Sequence, residues 1–223
     1  MESSQWLQGG PFLEVSFLLE LKEAKTKGIQ DIINKLSKVT NKIEIVDKNI
    51  DEIIDFFERG YTYDEEDPES ICLHSLKLRL YVYLSKKRKT TLQIEKVSSN
   101  ALMVNFWFFG SLFDAPEWDQ IGIKEDEITD FTDFLMELFS VYKYKVGGIA
   151  IEEDILDLFD CNETYPNECY CYEKVSPDHF LQEPSHFINI VWNEKYKQIN
   201  HIPYNHKRFD REGILIKTGS FND

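Results

Sequence analysis

Between Ala101 and Phe109 the chain runs ALMVNFWFF. In an extended backbone Leu102, Val104, Phe106 and Phe108 fall on one side and Met103, Trp107 and Phe109 on the other, with Asn105 the polar interruption. A half-buried strand alternates apolar with polar, whereas one that is apolar on both sides needs cover on both. This stretch therefore predicts a central strand and restricts the fold to a sheet with material packed on both faces. The residues up to Asp160 extend the same unit. After an aromatic and acidic loop comes a helix carrying Ile128, Phe131, Phe134, Leu135, Leu138, Phe139 and Tyr142 on one stripe. A second strand is expected from Lys145 to Ile151, where Gly147 and Gly148 permit a bulge or close approach. A short helix through Ile155, Leu156 and Phe159 closes the unit.

The remaining chain fits around this core. Leu13, Val15, Phe17, Leu19 and Leu21 alternate with Glu14, Ser16 and Glu20, as in a strand with one buried face. Ile29, Ile32, Ile33 and Leu36 mark a helix, and Lys42 to Asp47 a short strand. A second helix through Ile50, Ile53, Ile54 and Phe57 has Asn49 and Glu52 at capping-box spacing and Gly60 as its stop. Residues 61–70 read as an exposed acidic loop. A meander follows through Leu76 to Leu84 and through Leu92 and Ile94, turned by the basic tip Ser85 to Lys89. Beyond Cys161 periodicity fades, with strands expected at Phe187–Trp192 and Gly213–Lys217 and a polar, basic connection at His201–Arg211. The pattern predicts an α+β fold with a mixed or antiparallel sheet, helices packed on one face, ferredoxin-like in part. Its organisation is a core domain over 1–160 and an irregular C-terminal extension over 161–223 packed on the same domain.

A chain of 223 residues buries roughly 70% of its unfolded surface. No apolar run approaches the roughly 20 residues that span a bilayer. Phe12 to Leu21 is broken by Glu14, Ser16 and Glu20, so neither a signal peptide nor membrane association is expected, and the location is read as cytoplasmic. The four cysteines, Cys72, Cys161, Cys169 and Cys171, are accordingly read as reduced thiols. Forty acidic against 25 basic residues give a formal charge of −15, which repels phosphate backbones and argues against nucleic acid as a partner. The same charge attracts a basic protein and speeds its encounter.

The sequence lacks a phosphate-binding glycine loop, a zinc-protease helix and a nucleophile elbow. Cys161, Cys169 and Cys171 do not follow zinc-ligand spacing, so neither metal nor cofactor is expected, although Cys169, Cys171, His179 and His186 would supply four ligands. Cys72 and His74, two apart on a strand, share a face; they read as a small buried thiol beside a strand-end imidazole, with a Cys–His nucleophile as the alternative. The other candidate is the loop in which Phe113 and Trp118 sit among Asp114, Glu117 and Asp119, because aromatic anchors ringed by charge suit a protein-binding surface; the alternative is that both rings tuck under the loop onto the sheet and leave the acids in water. Glu125, Asp126 and Glu127 ahead of the helix and Glu152, Glu153 and Asp154 after the second strand are placed in the same partner-facing patch.

The run FWFFGSLFDAPEWDQIGI, the helix after it and VGGIAIEEDILDLF look like segments of small single-domain bacterial proteins. With its small acidic form, the chain resembles the immunity proteins encoded beside polymorphic toxins, over about residues 100–160. That resemblance contains no catalytic motif and transfers no functional residue. It implies a non-enzymatic module that binds and neutralises a toxin, with a basic toxin domain as the partner. The alternative is an enzyme using clustered carboxylates or a Cys/His site in the C-terminal region.

Overall fold

The computed structural model describes residues 12–22, 25–40, 42–64, 66, 71–109, 123–159, 161, 167–182 and 186–219. Eleven strands and four α-helices follow in chain order: β1 Phe12–Glu20, α1 Lys25–Leu36, β2 Ile43–Ile45, α2 Ile50–Arg59, β3 Tyr61–Thr62, β4 Cys72–Leu73, β5 Ser75–Tyr83, β6 Lys87–Lys96, β7 Ala101–Phe109, α3 Ile128–Tyr142, β8 Val146–Ile151, α4 Asp178–Gln182, β9 Phe187–Asn193, β10 Asn205–Phe209 and β11 Gly213–Lys217. Nine strands form one sheet in the order β10-β11-β9-β8-β1-β7-β6-β5-β2, and every pairing is antiparallel. The fold is α+β, as expected. Because β7 and β8 both flank β1, the β7–α3–β8 segment is a split βαβ unit, which is the ferredoxin-like part of the pattern.

The strand from Ala101 to Phe109 is central, as its two apolar faces require. Leu102, Val104, Phe106 and Phe108 join one buried cluster with Phe131, Phe134, Leu135 and Leu138 of α3 and with the inner stripes of α1 and α2. Met103 joins a second cluster on the opposite face, with Leu18, Val146, Ala150, Ile190, Trp192 and Ile214 beneath Ile155, Tyr170, Tyr172 and Phe180. The three long helices thus cover one face, while the 3-10 turns and α4 cover part of the other. Gly148 makes that second packing possible: a Cβ there would come within 2.5 Å of the Phe187 ring.

Several expectations change. The C-terminal third is part of the sheet, since β9 and β11 continue it and His201–Arg211 contains the edge strand β10. An edge strand with exposed side chains has little apolar alternation to reveal it. The ends of the acidic loop after α2 pair as β3 and β4, Tyr61 opposite Leu73. Asn49 makes no capping hydrogen bond to the helix backbone; its amide donates to Glu52 Oε2 at 3.0 Å. Gly60 does end α2, at φ 71, and a Cβ there would lie 2.6 Å from Cys72 Sγ. Arg88 in the basic tip is 3% exposed, on the helix-facing side of β6. Cys161 and Cys169 form a disulfide with Cα atoms 6.4 Å apart, so two of the four cysteines expected as thiols are bridged, and Cys72 and Cys171 are free. Among the described residues no helix is long and apolar enough to cross a membrane.

Candidate functional site

Among the described residues large apolar side chains are buried or half-buried with five exceptions, and four of those cluster. Of the five exposed large hydrophobic residues among those described, Phe56, Tyr61, Tyr63 and Ile71 belong to α2, β3 and the segment leading into β4, at 47%, 40%, 72% and 46% exposure. Local sequence explains each. The inner stripe of α2 is Ile50, Ile53, Ile54 and Phe57, which turns Phe56 outward. Gly60 then stops the helix and releases Tyr61 into β3, where its ring stacks on Phe56 at 5.9 Å between centroids. The Tyr63 N–H donates to the Ile71 carbonyl at 3.0 Å, holding those two residues on the same two-stranded ribbon.

Between α2 and β5 the surface sinks into a groove of about 480 Å³ whose apolar walls are Ile53, Phe56, Tyr61 and Leu76. Its rim is acidic. Asp51, Glu52, Asp55 and Glu58 are exposed along α2, and Asp64 and Glu66 follow in the next segment. Lys77 is the basic residue lining the groove. Burial raises the Tyr61 phenol, with the Glu95 carboxylate adding to the effect, so it remains a neutral hydroxyl at physiological pH. This surface presents apolar anchors beside the exposed carboxylates of α2, a composition that suits a docking surface.

The residues singled out by sequence are distributed differently. The loop bearing Phe113, Asp114, Glu117, Trp118 and Asp119 lies outside the described residues. Glu125 and Asp126 are exposed on a 3-10 turn ahead of α3. Glu127, in the same turn, is 7% exposed and points inward. Its carboxylate accepts from Arg88 Nη2 at 2.7 Å to both oxygens, from Lys86 Nζ at 2.8 Å and from the Lys124 N–H at 2.8 Å. Burial pushes its pKa up, but the Lys124 N–H, Lys86 and Arg88 outweigh that and hold it below the usual range. Glu152 is exposed with φ 55, and Glu153 Oε1 lies 3.8 Å from His186 Nε2. Asp154 caps the 3-10 turn Ile155–Leu158, accepting from the Leu156 N–H at 2.8 Å. Burial raises Asp154 to about 7, with Asp157 and Glu14 adding repulsion. Two of the six described acids are therefore committed to structure, and the two groups are separated by β1 and β7.

Cys72 is exposed, not buried as expected, but it and His74 do meet: Sγ is 3.8 Å from Nε2, and His74 Nδ1 is 2.8 Å from the Phe57 carbonyl. The carbonyl only accepts, so Nδ1 carries a proton, and in the neutral imidazole Nε2 is the acceptor on the thiol side. In the C-terminal region Cys169 is taken by the disulfide and His179 packs edge-on against Phe159, so the four-ligand set is not assembled. Among the described residues no group of three or more His, Cys, Asp or Glu is placed to hold a metal.

A second aromatic surface lies on the open side of β5, β6 and β7, but lysines cover it. Lys77 Nζ sits 4.2 Å from the Trp107 centroid, Lys87 4.1 Å from Tyr81 and Lys89 5.2 Å from Phe109. Lys77 also lines the α2 groove, but among the described residues no lysine stacks on the rings of Phe56, Tyr61 or Tyr63, which distinguishes that patch. Sequence reasoning passed over it because a single Phe beside a helical stripe and two tyrosines in an acidic loop are ordinary separately. The signal was their proximity to Gly60, which folds the tyrosines back against the helix.

No protein-family model matches this chain, and no curated protein matches it in sequence.

Proposed function

We propose that this protein is a non-enzymatic binding module whose partner is a basic protein, and that it acts in the cytoplasm as an immunity protein, neutralising a cognate bacterial toxin by binding it. The observation that carries the reading is the clustering of Phe56, Tyr61, Tyr63 and Ile71 on one exposed surface among the carboxylates of α2. Two terms then divide the work. The net charge of −15 steers a basic partner in, raising the association rate in a salt-dependent manner. The aromatic anchors hold it, setting the dissociation rate. The exposed acids Glu125, Asp126 and Glu152 contribute to the field, whereas Glu127 and Asp154 serve the fold.

The test is association kinetics against the product of the gene adjacent to that of this protein at two salt concentrations, paired with protection of cells expressing that product. Phe56→Ala should leave association unchanged and raise dissociation by about 30-fold, equivalent to roughly 2 kcal/mol. Glu52→Lys with Asp55→Lys should slow association, and the effect should shrink as salt rises. Parent-like binding by both variants, each melting as the parent does, would remove this surface as the interface. Failure of the parent itself to bind or protect would remove the immunity role.

A further inference from the structure

On a different part of the molecule the charge pattern reverses. A cleft of about 350 Å³ opens where the end of β1, one face of α1, the C-terminus of α3 and the Lys195–Tyr196 turn meet. Helix α1 contributes Gly28, Asp31, Ile32 and Lys35, spaced three, four and seven apart along a single face. Gly28 keeps that face open; a Cβ there would only reach 3.4 Å from Leu21 Cδ1, so the position is small by choice of residue and not by backbone strain.

The floor is apolar: Leu19, Ile32, Leu102 and the ring of Tyr142. The Tyr142 hydroxyl is engaged elsewhere, donating to the Ile32 carbonyl at 2.7 Å, so it is the ring that lines the cleft. Around this floor stand four lysines, Lys22, Lys35, Lys143 and Lys195, against Glu20 and Asp31. Lys22 pairs with Glu20 at 2.9 Å and Lys143 with Asp210. Among the described residues Lys35 and Lys195 make no ion pair. The remaining wall is Tyr172 and Tyr196, whose hydroxyls are 3.0 Å apart, Tyr172 donating to Tyr196. Tyr196 is the fifth exposed large hydrophobic residue, at 38%. Behind the two rings Lys145 is 4% exposed, its Nζ 4.9 and 5.3 Å from their centroids and bonded to the Tyr172 carbonyl.

A volume of this size is at the lower end of small-molecule pockets, and an apolar floor with a few convergent polar groups is their usual construction. In a chain carrying −15, a cleft lined by four lysines against two acids, with Lys22 and Lys143 already paired, leaves Lys35 and Lys195 as cations available to an anion. We propose that this cleft binds a small organic anion with a flat apolar body: the body rests on Leu19, Leu102 and Tyr142, and the anionic group is held by Lys35 and Lys195 with the Tyr196 hydroxyl as a further donor. A bare inorganic anion would leave the apolar floor uncovered, and a neutral ring would leave both ammonium groups unanswered. This inference is independent of the protein-binding reading, since none of its residues belongs to the α2 patch.

Calorimetric titration at low salt separates these cases with three probes: phenyl phosphate, phenol and inorganic phosphate. Phenyl phosphate should bind saturably at one per chain, and each control about 10-fold or more weakly, since each lacks one of the two contacts. Lys35→Ala and Lys195→Ala should each weaken phenyl phosphate by about 10- to 150-fold, the range for loss of one hydrogen bond to a charged group. Gly28→Leu, which fills the cleft while improving helix propensity, should abolish binding without lowering the melting temperature. Phe56→Ala should bind as the parent does. The proposal is overturned if phenyl phosphate shows no saturable binding, if phenol binds as tightly, or if the Lys35→Ala/Lys195→Ala double variant stays within twofold of the parent.

Discussion

Replacing Glu127 by Gln tests whether that carboxylate serves the fold or the surface. Arg88 and Glu127 are 3% and 7% exposed, joined through Nη2 to both carboxylate oxygens at 2.7 Å. The pair ties the start of α3 to β6 on the helix-covered face of the sheet. Gln keeps the shape and removes the charge, so the guanidinium is left buried against a neutral acceptor. Breaking such a pair on one side costs about 3–5 kcal/mol. At about 2–4 °C per kcal/mol for a chain of this size, the melting temperature should fall by about 6–20 °C. Arg88→Met should also destabilise, but less, because Lys86 and the Lys124 N–H remain on the carboxylate. The double variant Arg88→Met/Glu127→Gln removes both charges and should recover at least about half of the Glu127→Gln loss, since neutral replacements of buried pairs are commonly close to neutral. Chemical denaturation of the four proteins gives the coupling energy directly. A Glu127→Gln cost under about 1 kcal/mol, or a double variant equal to the sum of the singles, would refute the buried-pair account.

Phe106→Ala removes a ring that is fully buried and packed edge-on against Phe134 at 5.3 Å, and should cost about 3–5 kcal/mol by thermal or urea melts. Asp154 has its pKa raised from 3.8 to about 7, so between these values the folded state holds a proton that the unfolded chain has released. Its contribution is therefore complete below about pH 4 and is lost as the pH rises to about 7, at most about 4 kcal/mol. Asp154→Asn, which retains an acceptor for Leu156, should flatten stability across that window; an unchanged pH profile would show the carboxyl to be solvated. Thiol titration of unreduced, denatured protein should give two reactive groups, and four after reduction. In the native state Cys72 should react well before Cys171, whose hydrogen bond to Glu168 raises its pKa. Reducing the Cys161–Cys169 bridge should lower stability by about 2.5 kcal/mol, the chain-entropy value for so short a loop. In a reducing cytoplasm the protein would work without that contribution.

Periodicity carried the strands and helices of the central unit because burial on both faces of β7 and along the stripe of α3 leaves a strong apolar pattern. The same logic failed where burial is absent. Strand β10 is exposed at Asn205, His206, Lys207 and Arg208, and its membership of the sheet comes from backbone hydrogen bonds to β11, which side chains do not encode. Polar residues inside the core were misread for the reverse reason. Arg88 looked like one more charge in a basic turn, and Glu127 like a solvated helix-start acid. Each is buried only because the other is, and one sequence read locally contains no pairing information. The α2 patch has the same character: Phe56 is visible as an off-stripe residue, but its joining with Tyr61 requires the turn at Gly60 and the pairing of β3 with β4.

The position of β1 has a cost during synthesis. It lies in the middle of the sheet, between β7 and β8, yet those neighbours begin only at Ala101 and Val146. A ribosome adding about 5–20 residues per second leaves β1 without either partner for on the order of ten seconds. During that interval Leu13, Val15, Phe17 and Leu18, all fully buried in the finished fold, are open to solvent along with unpaired backbone on both edges. Completion of the sheet must wait for long loop closures, which places folding in the slow range of about milliseconds to seconds even once the chain is released. A holding chaperone that shields β1 over that interval would protect it from edge-to-edge association, an exposure that the stability of the finished sheet does nothing to shorten.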